Sequence, residues 1–131
     1  MTYQELDKII YDAFAAHPLV NSVLRNSNAI NGVSTKYMCA AYDLLQVTED
    51  EYSMTYQFNA YLADRMHDEN SVPHFSQMIE TFRQVLDDME CDSITVNYTR
   101  NYQCNSIKYA DVLDVCQLTF NVTVDKDFDC E

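Results

Sequence analysis

The side chains best equipped for chemistry are few and scattered. The chain holds three histidines, His17, His67 and His74, and five cysteines, Cys39, Cys91, Cys104, Cys116 and Cys130. A zinc site needs several convergent ligands, and these residues offer neither a Cys-x-x-Cys pair nor two histidines one helical turn apart. An odd cysteine count at wide spacing reads as free thiols in a reducing compartment, some of them serving as small core hydrophobes. The carboxylates Asp64, Asp68 and Glu69 gather after a long alternating segment. Such a group can do acid–base work, although more often it only solubilises a connection. Gly32 is the single glycine, so a glycine-rich phosphate loop and a Gly-x-Ser-x-Gly nucleophile elbow are both excluded. No residue set nominates a nucleophile with its base. The expectation is a non-enzymatic chain without a cofactor.

Charge narrows the partners further. Eight basic residues against 21 acidic ones give a formal net charge of −13. That balance works against gripping a nucleic-acid backbone, which needs clustered lysine and arginine, and against an anionic membrane surface. It suits solubility, or a surface that stays near nucleic acid without sticking to it. No apolar run approaches the roughly 20 residues of a bilayer-spanning helix. The first ten residues, MTYQELDKII, lack the pattern of a signal peptide. The Asn-x-Thr sequons at Asn97 and Asn121 are then incidental to threonine-rich strands.

These residues have to be positioned by regular elements. Residues 2–17 read as a helix. Thr2 and Glu5 have capping-box spacing, Leu6, Ile9, Ile10, Ala13 and Phe14 form one apolar stripe, and His17-Pro18 ends it. Lys8 and Asp12 stand one turn apart as a surface pair. Residues 19–34 read as a strand-and-loop excursion, with Asn31-Gly32 as a tight turn; 19–36 is a candidate arm. Residues 37–48 read as a strand, followed by the acidic turn Thr48-Glu49-Asp50-Glu51. Over 52–63 the alternation is strict, with Tyr52, Met54, Tyr56, Phe58, Ala60 and Leu62 facing one way. The two segments form a long antiparallel hairpin.

A second helix spans about 71–90, capped by Asn70 or Ser71, with Pro73 in its first turn. Its buried stripe is Phe75, Met78, Ile79, Phe82, Val85, Leu86 and Met89. Residues 94–104 alternate again, 105–112 read as a polar link, and 113–124 read as a last strand with Cys116, Leu118, Phe120, Val122 and Val124 inward. The tail 125–131 is acidic. The expected fold is α+β, one domain over 1–131: an antiparallel sheet with two helices packed on one face, plus a long hairpin or arm. The opposite face is rich in Tyr, Thr, Asn and Gln, and reads equally as a solvated surface or a contact surface.

The run Tyr56-Gln57-Phe58-Asn59-Ala60-Tyr61-Leu62-Ala63-Asp64, the helix Phe75-x-x-Met78-Ile79-x-x-Phe82-x-x-Val85-Leu86-x-x-Met89 and the closing strand from Asp114 to Val124 carry a resemblance. In this element order the chain resembles the tail terminator, or tail completion, proteins of tailed bacteriophages. It is also similar to ring proteins at the head–tail junction of crAss-like phages. The resemblance implies a virion protein, made in the host cytoplasm, that assembles with itself into a ring around the DNA channel. Its neighbours would be portal, connector or tail proteins, with genomic DNA passing through unbound. It further implies an acidic channel or rim, for which Glu49, Asp50, Glu51, Asp68 and Glu69 are the candidate residues. A different class of reading stays open beside it: an acidic protein-binding module such as a DNA-mimic inhibitor.

Overall fold

The computed structural model describes residues 2–31, 36–66, 70–108 and 112–126. The first helix, α1, runs Tyr3–Ala15. Thr2 caps it, with its hydroxyl oxygen accepting the Glu5 amide at 3.3 Å. Leu6, Ile10 and Phe14 are fully buried, and Ile9 and Ala13 pack beside them. Lys8 and Asp12 form the expected surface pair at 2.7 Å.

Strand β1 (Ser22–Leu24) precedes a short 3-10 turn, Ser27–Asn31. Strands β2 (Cys39–Glu49) and β3 (Ser53–Arg65) make the long hairpin. Helix α2 (Val72–Asp88) follows, then β4 (Ile94–Tyr98), β5 (Gln103–Lys108) and β6 (Val112–Asp125). The sheet order is β1-β2-β3-β6-β4, with β5 also bonded to β6. The fold is α+β as expected, with one addition: β1 pairs with β2 in parallel, through Ser22–Cys39, Val23–Ala40 and Leu24–Ala41. All other pairings are antiparallel.

Two boundaries differ from the sequence reading. The strand expected over 94–104 is interrupted at 99–102, where Arg100 adopts a left-handed φ of 56°. Pairing resumes through residues expected to be a polar link, because β5 lies in series with β4 along the same edge of β6. Tyr52, expected to share a face with Tyr56 and Phe58, sits in the hairpin turn and is 75% exposed. Asp50 builds that turn: its carboxylate accepts the amides of Tyr52 at 2.8 Å and Ser53 at 2.7 Å.

The helices cover one face of the sheet. Phe14 packs against Tyr42 and Phe82, Tyr42 meets Phe58 edge-on, and Phe58 stacks on Phe120 at 5.2 Å, which links α1, α2, β2, β3 and β6. Phe14, Phe58, Phe82 and Phe120 are fully buried, and buried aromatics dominate the energetics of such a core. The Tyr42 hydroxyl donates to Asp7, whose carboxylate also holds Arg25 at 2.7 Å just past β1. Burial and the Asp7 carboxylate together raise the Tyr42 phenol well above its ordinary value.

A smaller cluster lies on the other face. Ile30, 3% exposed, covers Cys39, Ala41, Ala63, Leu113 and Val115. The stretch expected as an arm is therefore laid onto its own domain over the described residues 19–31, held by β1 pairing and by Ile30. Residues 32–35 lie outside the description, as do 127–131 of the acidic tail. The free-thiol expectation holds for Cys39, Cys104 and Cys116 and fails at Cys91, which is disulfide-bonded. Among the described residues no helix is long and apolar enough to cross a membrane.

Candidate functional site

Where β3 ends and β6 begins, Asp64 and Asp114 are direct cross-strand partners. Two like charges opposite one another destabilise a ladder unless something lies between them. His74, from the first turn of α2, fills that place. Its Nδ1 is 2.8 Å from Asp114 Oδ2 and its Nε2 is 3.1 Å from Asp64 Oδ2. Ser71 and Ser106 both donate to Asp114 Oδ1, at 3.0 and 2.7 Å. Asp114 is completely buried and His74 nearly so.

The local sequence explains the arrangement. Pro73 sets the first helical turn and places His74 on the inward face of α2. Ser71 occupies the N-cap position yet makes no capping bond, because its hydroxyl is turned to Asp114. Asn70 Oδ1 accepts the Val72 amide at 3.2 Å in its place. Burial alone would raise the Asp114 carboxyl. The hydrogen bonds from Ser106, His74 and Ser71 outweigh it and hold the carboxyl below its ordinary value.

The chemistry open to this cluster is limited. Both ring nitrogens of His74 already face carboxylate oxygens, one on each side of the ring. Neither serine reaches the imidazole; both are committed to Asp114. The nucleophile–base contact of covalent catalysis is therefore not made among these residues. Among the described residues no group of three or more His, Cys, Asp or Glu is placed to hold a metal ion. What the cluster does is join four elements, α2, β3, β5 and β6, through one buried polar node.

The candidate rim residues lie elsewhere. Glu49, Asp50 and Glu51 are at the hairpin tip, at the opposite end of β3 from Asp64. Glu49 pairs with Lys126 at 2.7 Å, Asp50 is committed to its turn, and Glu51 is exposed. Asp68, Glu69 and His67 fall outside the described residues. Of the carboxylates grouped after the hairpin, Asp64 alone can be placed: it stands opposite Asp114, its Oδ1 accepts the Arg65 amide at 2.8 Å, and its Oδ2 faces His74. Asp114, Ser71 and Ser106 are the functional residues that sequence reasoning missed. A usable signal existed: Asp114 is a lone acid inside the apolar run Val112-Leu113-Asp114-Val115-Cys116, and buried acids are almost always paired.

The sheet has two further features. On its outer face the register aligns Thr48, Thr55, Thr123 and Thr95 across four strands, and beside them Gln46, Gln57, Asn121 and Asn97. Neither row carries a charge. Thr55 and Thr123 bond at 3.1 Å, and Thr119 donates to Asn59 at 2.7 Å. Both lateral edges are also open in part among the described residues. β1 covers only Cys39–Ala41 of β2, which leaves the edge of Tyr42–Glu49 with Leu44, Leu45 and Val47 39–48% exposed. On the other side β5 has β6 as its one strand partner among the described residues and every residue of β5 is exposed, whereas the outer edge of β4 is partly covered by Cys91, which pairs with Ile94, and by Glu90, whose carboxylate accepts the Val96 amide at 3.0 Å.

Comparison with known proteins adds no identity: no family model matches the chain, and no characterised protein matches it.

Proposed function

We propose that this chain is a structural subunit of a homo-oligomeric ring at the head–tail junction or tail end of a tailed phage. The observation that carries the reading is the pair of open strand edges on opposite sides of one sheet. An unpaired edge is a template for another strand. Two different edges on one subunit favour a head-to-tail contact, which closes into a ring when the rotation allows. Exposed Leu44, Leu45 and Val47 on the β2 edge supply apolar surface for such a contact, and β5 supplies a fully exposed strand to receive it. The resemblance in element order supports the same reading. The net charge of −13 suits a channel that DNA crosses without binding, since like charge discourages adhesion.

The test is native mass spectrometry of the concentrated protein, with negative-stain images of the same sample. Closed rings with an opening wide enough for duplex DNA are the expected outcome, and Leu45→Lys with Val47→Lys should dissolve them. A chain that stays monomeric at every concentration, with an unchanged mass in the double variant, would overturn the reading.

A further inference from the structure

We propose that the outer face of the sheet holds a binding site for a neutral, polyhydroxylated ligand, one or two hexose units of an uncharged glycan. This inference is independent of the ring. A cavity of about 320 Å³ opens between the 3-10 turn after β1 and the floor made by β3, β6 and β5. That is the lower end of the range for small-molecule sites, about 300–1,000 Å³.

Its chemistry is selective. Asn28, Asn105 and Gln117 bring three carboxamides to the cavity. Among the described residues, none of these side-chain amides has a hydrogen-bond partner. An amide offers donors and acceptors from one planar head, which matches hydroxyl groups that do both. Tyr61, Ile107 and Val115 supply the apolar part of the lining, where the C–H face of a pyranose ring can rest. Among the described residues the lining contains no Lys, Arg, His, Asp or Glu. A phosphate or carboxylate ligand would find no cation there and would meet a chain of net charge −13. An amine or metal ion would find no carboxylate. Asn105 and Gln117 stand on paired strands, so their backbones are fixed before a ligand arrives. Gln117 also borders a smaller cavity of about 80 Å³ at the interruption between β4 and β5, lined by Thr99, Asn101, Gln103 and Thr119 among others, again with no charged residue among those described. The two cavities share that one amide, and a second sugar unit can extend from the first across it.

The experiment is an NMR titration of the ¹⁵N-labelled full chain with cellobiose, maltotriose, chitobiose and lactose, and with glucuronic and sialic acids as charged controls. At least one neutral sugar should give saturable shifts of the Asn28, Asn105 and Gln117 side-chain amides. Gln117→Leu should weaken that binding about tenfold or more, the loss of roughly one well-made hydrogen bond. Gln57→Leu, on the same face but outside the cavity, should leave it unchanged. Asn105→Ala, on exposed β5, serves as the second cavity variant should Gln117→Leu not fold. No saturable shift from any neutral sugar would overturn the proposal. So would equal binding of the acidic sugars, or full binding by the cavity variants.

Discussion

The two faces of the sheet are built from the same strands and do opposite work. Along β3, Tyr56, Phe58, Ala60 and Leu62 are buried beneath the helices, while Thr55, Gln57, Asn59 and Tyr61 alternate with them on the outer side. The inner side draws its stability from removing aromatic and aliphatic surface from water, at about 25 cal/mol per Å². The outer side is held by neutral cross-strand pairs such as Thr55–Thr123, which contribute roughly 0.2–1 kcal/mol each. Residues one position apart therefore differ severalfold in what they contribute to folding. The Thr and Gln/Asn rows of the outer face contribute little to folding, so the absence of charge from these two rows in an acidic chain calls for a reason other than stability.

The comparison is broken most directly at Phe58. Phe58→Ala should cost about 3–5 kcal/mol, from lost burial and the cavity left between Tyr42 and Phe120; urea denaturation would measure it. Asp114 is a fully buried acid on the inner side, and Asp114→Ala should cost about 3 kcal/mol, because His74, Ser71 and Ser106 lose their shared acceptor. The same residue gives a pH signature. Its carboxyl is held below the ordinary value, so its contribution is fully present above the unfolded value of about 3.9 and is lost as pH falls through the lower folded value. Melting curves should show an acid-side loss that shrinks in Asp114→Ala. On the outer side Thr55→Ala should cost about 0.5 kcal/mol or less. If its cost approached that of Phe58→Ala, the division of labour between the faces would be wrong.

Periodicity made the inner face legible. The alternation of β3 and β6 and the stripes of α1 and α2 each name residues that are in fact buried, because a half-buried element must repeat with its own geometry. Where that pressure is absent the signal fades. β5 has no buried residue, and Gln103 to Lys108 show no pattern; its strand state comes only from lying along β6. β1 is three residues long and pairs in parallel with β2, flanked by the Asp7–Arg25 ion pair and by Ile30 packed with Cys39 and Ala41. Neither contact has a local motif. The polar node was half visible. His74 and Asp64 stood out as titratable residues, but joining them to Asp114 required knowing that β3 and β6 are neighbours.

That adjacency has a consequence in time. β6 is hydrogen-bonded to β3, β4 and β5, and it is the last described strand to leave the ribosome. β4 and β5 have no other strand to pair with. Before residue 112 emerges, the hairpin and both helices can meet, but half of the sheet and the carboxylate that anchors His74 are still missing. The sheet must therefore close its centre with its last described strand, joining segments distant in sequence. Such topology slows folding and prolongs the exposure of apolar strands during synthesis.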